Sequence, residues 1–413
     1  MNVNEVCLLA KNAANVFVSV STEDKNSLLN SIKNKIQNNV KEIIEINKID
    51  LDVAKKAGFP SAFLDRLELT EGRIKTMCDG IDDIISLPDY VGKVEEEYKL
   101  KNELYVKKVH APLGVIGIIY ESRPNVTVDA TALCIKSGNG VVLKGGKESI
   151  NSNRFLVKLM KEAFAERGYD SNLIAFIDSV DREKTNEMLK MDEYIDVVIP
   201  RGGEKLKKFV LANATMPVNA SSGGNCHIYV EKSADFDMAK KVIENAKMSR
   251  PSVCNAVETL LVDKEIANDF LPICLSNLYE KGVEIRGGED IREIFNNTKV
   301  IDEEEFFTEY SDLIIKVKIV SNCKEAIEHI NYYSTNHSEA ILTNDKEFAD
   351  IFVNGVDSAC VYVNASTRFT DGFELGLGAE MGISTQKLHV RGPIGLKELT
   401  SVKFIVTGNG QIR

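Results

Sequence analysis

The feature that most restricts the fold is an alternation of apolar strands and amphipathic helices that begins at residue 112. Strands are predicted at 114–120, 141–144, 173–177, 195–200 and 217–220, with helices between them, among others at 126–137 and 152–167. Parallel strands joined by crossover helices form a doubly wound sheet with helices on both faces. Because ligands of such sheets bind beyond the carboxyl ends of the strands, we expect a ligand site along that edge.

A second α/β region follows residue 234, and helices fill the start of the chain. Residues 3–58 and 61–87 carry apolar side chains at helical spacing, and Ser21 with Asp24 forms a capping box. In the second region, helices are predicted near 234–247, 265–281, 323–332 and 344–352, and strands near 259–262, 313–319, 338–342 and 358–363.

A charged segment at 90–111 has the alternation of an extended hairpin with a thin apolar face. A lone hairpin is barely stable in water. It therefore either lies on the body of the protein or pairs with another subunit, and we favour the second arrangement.

Composition excludes several classes of function. The chain has 413 residues and a formal net charge of −11, so two or three domains are expected, and binding to nucleic acid or to a membrane is disfavoured. Its eight cysteines form no CxxC pair and no metal-ligand spacing. With no signal-like segment at the start, we expect a cytoplasmic protein without metal or disulfide framework.

Cys254 is the candidate nucleophile. It stands between small and polar residues, shortly after Arg250 and Pro251. Proline interrupts a regular helix, and positive charge favours the thiolate form of a cysteine. The alternative is an inert buried cysteine. Cys226 is a rival nucleophile because His227 follows it, but adjacent residues of a strand point to opposite faces.

Three glycine turns fall near predicted strand ends: Lys144-Gly145-Gly146-Lys147, Arg201-Gly202-Gly203 and Ser222-Gly223-Gly224-Asn225. Backbone N–H groups at such turns bind phosphate oxygens, and the two lysines of the first turn add positive charge. Each turn alone is consistent with an ordinary connection. Together, at alternate strand ends of one sheet, they predict a nucleotide site.

Polar residues elsewhere complete a reaction centre. Asn125 opens a predicted helix, where it is either an N-cap or a carboxamide donor to a developing oxyanion. A cysteine nucleophile with an oxyanion donor implies acyl transfer through a thioester. Lys387 and Arg391 belong to a compact basic cluster, which is either a solvated face or a site for a substrate carboxylate or phosphate.

Motifs spread along the chain support a more specific interpretation. They read PLGVIG from residue 112, YESRPNVT from 120, LKGGKE from 143, PRGG from 200, GNCH from 224, RPSVCNA from 250, GLGAEMGIST from 376 and HVRGP from 389. In this order they resemble the glutamate-5-semialdehyde dehydrogenases, also called gamma-glutamyl phosphate reductases, a branch of the aldehyde dehydrogenase superfamily.

The resemblance implies an α/β, aldehyde-dehydrogenase-like fold with a Rossmann-type cofactor domain, an α/β catalytic domain and a small oligomerisation hairpin. The implied NADP-binding domain comprises 1–89, 112–233 and 376–395. The catalytic domain comprises 234–375, and the oligomerisation element 90–111 with 396–413. A homo-oligomer is expected, and contact with glutamate 5-kinase is an open possibility because an acyl phosphate is labile.

It also implies the reaction and its residues. L-Glutamyl 5-phosphate would be reduced by NADPH to L-glutamate 5-semialdehyde and phosphate, the second step of proline biosynthesis from glutamate. Cys254 resembles the family's nucleophile, Asn125 its oxyanion donor, and Lys144 the lysine that holds the adenosine ribose. The implied cofactor set is Lys144, Gly145, Gly146, Lys147, Arg201, Gly202, Gly203, Gly223, Gly224 and Glu309, and the candidates for substrate binding are Arg250, Lys387 and Arg391.

Two departures fall in one segment, the first from the family that the chain resembles and the second from hydrolytic aldehyde dehydrogenases. Residues 221–224 read SSGG where a more glycine-rich turn with a threonine is usual, and residues 219–226 contain no acidic side chain. Hydrolytic aldehyde dehydrogenases carry a water-activating glutamate in this segment. Its absence favours a reductase, because such a base would hydrolyse the thioester. The alternatives are a hydrolytic NAD(P)-dependent aldehyde dehydrogenase acting on a small aldehyde and a nucleotide-binding regulator without turnover.

Overall fold

The computed structural model describes residues 2–221 and 223–413. The chain forms two compact units: the first contains Met1–Ser221, Leu377–Gly382 and Ile394–Arg413, and the second contains Ser222–Gly376 and Ile383–Pro393. The boundary predicted at residue 233 is therefore wrong by about a dozen residues, and the segment 376–395 is divided between the units.

The described helices follow the predicted pattern closely. They are α1 (Val3–Phe17), α2 (Thr22–Asn38), α3 (Val40–Lys56), α4 (Ser61–Leu67), α5 (Glu71–Ser86), α6 (Asn125–Lys136), α7 (Ile150–Glu166), α8 (Arg182–Met188), α9 (Glu204–Asn213), α10 (Phe236–Met248), α11 (Ala267–Glu280), α12 (Glu289–Ile294), α13 (Cys323–Tyr333) and α14 (Lys346–Gly355). Of the predicted capping box at α2, the N-cap bond is present: Ser21 Oγ accepts a hydrogen bond from the Asp24 backbone at 3.1 Å, and the Asp24 carboxylate accepts from the Ser21 hydroxyl at 2.9 Å. In the described part of the chain, no helix is long and apolar enough to cross a membrane.

The strands belong to several sheets. They are β1 (Val94–Lys99), β2 (Tyr105–Pro112), β3 (Val115–Tyr120), β4 (Gly140–Gly145), β5 (Ile174–Phe176), β6 (Val197–Arg201), β7 (Cys226–Val230), β8 (Val257–Asp263), β9 (Glu284–Gly287), β10 (Lys299–Val300), β11 (Ile314–Val320), β12 (Ser338–Leu342), β13 (Cys360–Val363), β14 (Ile383–Ser384), β15 (Gly392–Pro393) and β16 (Thr400–Thr407).

The first unit contains the predicted parallel sheet, in the order β5-β4-β3-β6. Its central strand β3 is buried along its whole length, and it pairs with β4 and β6 so that Ile118 lies between Leu143 and Ile199. The predicted strand at 217–220 is wrong: only a single bridge joins Val198 to Val218. The doubly wound arrangement itself is confirmed.

A three-stranded antiparallel sheet, β1-β2-β16, also belongs to the first unit. The predicted hairpin therefore pairs with the last strand, with Phe404 opposite Lys108. Its apolar side chains are poorly covered, since Phe404 is 59% exposed and Val406 is 54% exposed. This sheet has too little buried surface to be stable by itself.

The second unit is built on a seven-stranded parallel sheet in the order β10-β9-β11-β8-β7-β12-β13. Strand β7 lies near its middle, between β8 and β12, which explains why the unit begins before residue 226. All seven residues of β8 are buried. The buried faces of the sheet pack against apolar side chains of the neighbouring helices, among them Ile243, Phe270 and Leu275.

Candidate functional site

A pocket of about 490 Å³ opens at the carboxyl ends of β3 and β4 in the first unit. Its lining consists of Ile119, Tyr120, Glu121, Lys144, Gly145, Gly146, Lys147, Glu148, Val180, Asp181, Arg182, Thr185, Lys205, Leu206 and Phe209. The first glycine turn therefore lies where a doubly wound sheet binds its ligand. The Arg201-Gly202-Gly203 turn is next to it, because the Gly203 N–H donates to Glu121 at 2.9 Å.

Gly145 illustrates why the first turn needs glycine. A Cβ atom at this position would lie 3.2 Å from the Tyr120 ring and would overlap the Asn153 side chain. The end of β4 therefore packs tightly against the side chains of Tyr120 and Asn153. Any side chain at residue 145 would displace Tyr120 or Asn153.

Basic side chains line this pocket. Lys144 is almost fully buried, and its Nζ atom donates to the carbonyls of Gly145 at 3.1 Å and Ser179 at 2.8 Å. Burial lowers the pKa of Lys144. Arg182 and Lys205 were missed from the sequence, because they lie on α8 and α9 and belong to no motif.

Asn125 lies in the first unit, at the start of α6. The N-cap interpretation is wrong, because Pro124 precedes the helix and no side chain caps it. Instead, the Asn125 carboxamide Nδ2 donates to Asp129 Oδ2 at 2.8 Å. Burial raises the pKa of Asp129 to about 6. Since an amide nitrogen carries two hydrogens, this contact orients the group and leaves a second donor.

Cys254 lies in the second unit, in the turn between α10 and β8, and is half-buried. The turn closes through a hydrogen bond from Ala256 N to Val253 O at 3.1 Å. Gly224 packs directly against it, since a Cβ atom there would overlap the Cys254 carbonyl. The Cys226 thiol donates to the same carbonyl at 3.1 Å. The backbone of the predicted nucleophile is therefore held from two sides.

Cys226 itself is fully buried, and burial raises its pKa well above that of an ordinary thiol. Its sulfur lies 3.9 Å from His337 Nδ1 rather than beside His227. His227 instead faces Glu339, with Nδ1 3.2 Å from Oε2. Adjacent residues of β7 thus point to opposite faces, and they form no catalytic pair.

The third glycine turn requires a correction. Gly223 and Gly224 lead into β7 of the second sheet, so this turn is not at a strand end of the first sheet. Ser222, the first residue of the predicted turn, lies outside the described residues. The turn does meet another predicted residue, because a Cβ atom on Gly223 would overlap the Glu309 carboxylate.

Buried charges hold the segment that carries Glu309. Lys316 on β11 is fully buried, and its Nζ donates to Asn225 Oδ1 at 2.9 Å, to Phe306 O at 3.2 Å and to Thr308 O. Burial lowers the pKa of Lys316. The Lys316 ammonium group therefore fixes two carbonyls just before Glu309 to strand β11 of the seven-stranded sheet.

A second contact fixes the other side of Glu309. The Glu258 carboxylate accepts from the backbone N–H of Tyr310 at 3.1 Å and of Ser311 at 3.3 Å. Lys247 pairs with Glu258 at 3.1 Å, and both side chains are buried. We call Lys316, Glu258 and Lys247 the buried clamp. No local motif predicts it, because its members are spread over 70 residues.

The predicted substrate-binding residues all belong to the second unit. Arg250 lies at the surface near the start of the Cys254 turn. Lys387 and Arg391 both pair with Asp357, at 2.5 and 2.7 Å, and these contacts lower the pKa of that carboxyl, with Lys387 as the larger cause. Two cations share one carboxylate, so the cluster retains a net positive charge. Among the described residues, no group of histidine, cysteine or acidic side chains has the arrangement of a metal site.

Comparison with known proteins shows the family to which this chain belongs. Residues 1–284 match the aldehyde dehydrogenase family. An acetylating aldehyde dehydrogenase from Geobacillus thermoglucosidasius shares the fold, with a TM-score of 0.69 at 16% identity over 100% of this chain and 97% of that one. The chain belongs to the aldehyde dehydrogenase family, as its fold and its cysteine-bearing unit indicate.

Relatives of higher identity narrow the group. Gamma-glutamyl phosphate reductase of Caldicellulosiruptor saccharolyticus is 52% identical over 407 residues, covering 98% of this chain and 97% of the relative. The Petrotoga mobilis enzyme of the same name is 52% identical over 417 residues, covering 100% of both. The crystal structure of gamma-glutamyl phosphate reductase from Thermotoga maritima superposes with a TM-score of 0.98 at 46% identity, over 100% of both chains. The resemblance to this group is thereby confirmed, and with it an oxidoreductase that uses a nicotinamide cofactor on a small molecule.

Proposed function

We propose that this chain reduces L-glutamyl 5-phosphate to L-glutamate 5-semialdehyde and phosphate, with NADPH as the reductant, in proline biosynthesis. The observation that carries the proposal is the full-length similarity to two enzymes named gamma-glutamyl phosphate reductase. The turn around Cys254 supports it independently, because a half-buried cysteine with a rigid backbone suits covalent catalysis.

Cys254 acts as the nucleophile in this proposal. Its thiolate attacks the acyl carbon, the sulfur–carbon bond forms, and phosphate leaves with the electron pair of the carbon–oxygen bond. The Cys254 backbone N–H and the Asn125 carboxamide donate to the oxyanion. Loss of one such donor raises the barrier by roughly 2.7–4 kcal/mol. Since residues 219–226 contain no acidic side chain, no base in that segment activates water against the thioester.

The pocket of the first unit fits a phosphorylated dinucleotide. It has a glycine turn, and its lining contains Lys147, Arg182 and Lys205 together with the acidic Glu121, Glu148 and Asp181. In the proposal the basic side chains pair with the additional phosphate that distinguishes NADPH from NADH. In this assignment Lys144 holds the adenosine ribose and Glu309 the nicotinamide ribose, as the family resemblance implies. When bound, NADPH supplies the hydride that reduces the thioester to the aldehyde.

The substrate and subunit contacts complete the proposal. The Lys387–Arg391 pair, only half compensated by Asp357, is assigned to the α-carboxylate of the substrate. The sheet β1-β2-β16 is assigned to a homo-oligomeric interface, because its exposed apolar side chains, such as Phe404, gain cover from a second copy.

The phosphate dependence of the reverse reaction tests the proposal. Oxidation of L-glutamate 5-semialdehyde, followed at 340 nm with NADP and with NAD, is expected to require phosphate or arsenate and to prefer NADP. Formation of glutamate without phosphate would favour a hydrolytic aldehyde dehydrogenase. A flat absorbance with all components present would favour a regulator without turnover.

Cys254→Ala tests the nucleophile. We expect turnover to vanish while NADPH still binds, because the substitution removes only the attacking sulfur. Cys274→Ala is the matched control and retains most of its activity, since that buried thiol lies on α11 and not in the Cys254 turn. Turnover that survives in Cys254→Ala contradicts the assignment.

A further inference from the structure

Arg368 lies against the Cys254 turn and belongs to no sequence motif. Its Nε donates to Ser249 Oγ at 2.9 Å, and its Nη1 donates to Asn255 Oδ1. Ser249 precedes Arg250, and Asn255 follows Cys254. One guanidinium group therefore bridges the two ends of the turn that carries the nucleophile.

Further hydrogen bonds fix this arginine in place. Asn255 Nδ2 donates to the carbonyls of Arg368 at 3.2 Å and of Thr370 at 2.9 Å. Thr367 Oγ1 donates back to the Asn255 carbonyl at 2.7 Å. The backbone on both sides of Arg368 is thus fastened to the residue next to Cys254, so the guanidinium is preorganised.

The charge of this arginine lacks a close counter-ion. Within the part of the chain that the structure describes, Arg368 donates only to neutral groups, its Nη2 has no partner, and neither it nor Arg250 forms an ion pair. Burial lowers the pKa of Arg368, and the nearby charge of Arg250 lowers it further. Asp371 and Glu374 exert a weaker opposite effect without forming an ion pair. Two like charges beside a cysteine, uncompensated by contact, are stabilised by a bound anion.

We propose that Arg368, together with Arg250, binds the phosphate group of the substrate and, in the reverse reaction, inorganic phosphate. This inference rests on the proposed function. In an acyl phosphate, the phosphate oxygen is bonded to the carbon that Cys254 attacks, so the phosphate lies beside the nucleophile. The α-carboxylate is separated from that carbon by three further carbons and reaches a more distant site. A planar guanidinium also matches phosphate oxygens with two parallel hydrogen bonds.

Arg368 acts on the step in which phosphate departs. As the thioester forms, the electron pair of the breaking bond adds negative charge to the leaving phosphate, which then takes a proton from solvent. A fixed guanidinium stabilises that charge as it develops. Arg368 is therefore a substrate-binding residue whose contribution increases along the reaction.

The Michaelis constant for phosphate in the oxidation of L-glutamate 5-semialdehyde tests the assignment. Arg368→Met is expected to raise it by about tenfold or more, the loss of one charge-assisted hydrogen bond. Arg368→Lys keeps the positive charge but loses the planar guanidinium group, so the Michaelis constant for phosphate should rise less than in Arg368→Met. The Michaelis constant for the aldehyde stays within about twofold. Arg292→Met is the matched control, because Arg292 is an exposed arginine of the same unit that pairs with Glu289.

A second measurement works without turnover and separates binding from folding. Inorganic phosphate is expected to slow alkylation of Cys254 by iodoacetamide in the unsubstituted protein and in Arg292→Met, but not in Arg368→Met. Thermal unfolding of each variant is measured alongside, and Arg368→Lys retains the turn if the methionine variant does not fold. Should the unsubstituted protein oxidise the aldehyde without phosphate, the proposed function fails, whereas protection by phosphate still supports the anion site.

Three outcomes would overturn the inference. The first is an unchanged Michaelis constant for phosphate in Arg368→Met. The second is a rise confined to the aldehyde, which would assign Arg368 to the α-carboxylate. The third is an absence of phosphate protection in the unsubstituted protein.

Discussion

At the scale of single residues, one predicted site residue is held by a near neighbour in sequence and the other by more distant residues. Asn125 is oriented by Asp129 one turn later, whereas Cys254 is packed between Gly224 and the thiol of Cys226. The sequence motifs predict Asn125 and Cys254 as residues of the reaction centre. They do not predict Arg368, because its relation to Cys254 exists only through contacts made across more than 100 residues. Local patterns predict chemistry where the reacting group is part of a motif, and they miss groups that tertiary packing delivers.

Asp129 makes a prediction about the pH dependence of turnover. Burial raises its pKa to about 6, so above this pH its carboxylate holds the Asn125 carboxamide by a charge-assisted hydrogen bond. As the pH falls through about 6, the protonated group holds Asn125 less firmly, and kcat should decline by about fivefold. In Asp129→Asn this decline is expected to disappear from the profile of kcat against pH. A profile that keeps the same acid limb would show that Asp129 does not control it.

At the scale of secondary-structure elements, the buried clamp connects the middle of the second sheet to the segment that carries Glu309. Lys316 and Lys318 both lie on β11, two residues apart, but only Lys316 is buried. Lys318 pairs at the surface with Glu303 at 2.9 Å. The strand therefore carries a buried lysine and a more exposed lysine on one face, and the second provides a control for the first.

Lys316→Met should weaken cofactor binding about tenfold, because the carbonyls of Phe306 and Thr308 lose their donor and the Glu309 segment loosens. The measurement is the dissociation constant for NADPH, followed by its fluorescence. Lys318→Met removes an ion pair with Glu303 and a cation–π contact with the Phe306 ring but no donor to a backbone carbonyl, and it is expected to bind NADPH normally. Equal losses in the two variants would argue against a role for the clamp.

Helices and strands were predicted correctly where apolar residues recur with a clear period. The predictions failed where the pairing between strands determines the structure. The buried runs of β3, β4 and β8 were evident from composition, as were the long helices. The sequence did not show that β7 belongs to the second sheet, because a five-residue strand carries no information about its distant neighbours. The short strands β9 and β10 were missed for the same reason, since their burial pattern is too brief to show a period.

At the scale of the whole molecule, the second unit encloses a neutral polar cluster behind its sheet. Glu339 accepts hydrogen bonds from the His227 backbone at 2.6 Å and from Ser334, and burial raises the pKa of its carboxyl to about 8. Burial lowers the pKa of His227 to about 3, of His329 to about 2 and of His337 to about 4. At neutral pH the histidines are uncharged, and the proton of the cluster resides on Glu339.

This cluster predicts how stability changes with pH. A carboxyl whose pKa is raised on folding stabilises the protein at low pH and loses that contribution as the pH rises to about 8. Below pH 6.5 the buried histidines have the opposite effect on stability, because they are protonated only in the unfolded chain. Above pH 6.5 this effect ends, so the titration of Glu339 should lower the free energy of unfolding by about 2 kcal/mol between pH 6.5 and 8. Denaturant unfolding at several pH values is expected to show this slope in the unsubstituted protein and to lack it in Glu339→Gln. An identical slope in both would assign the effect elsewhere.

The close approach of Gly224 to the Cys254 carbonyl has a consequence for protein engineering. Conversion of the chain into a hydrolytic enzyme would require a carboxylate in the segment 219–226. Residue 224 is closed to any side chain by the backbone of Cys254, whereas a side chain at residue 223 would displace the Glu309 carboxylate. A combinatorial library that randomises the whole turn would therefore contain many variants that displace the Cys254 backbone or the Glu309 carboxylate.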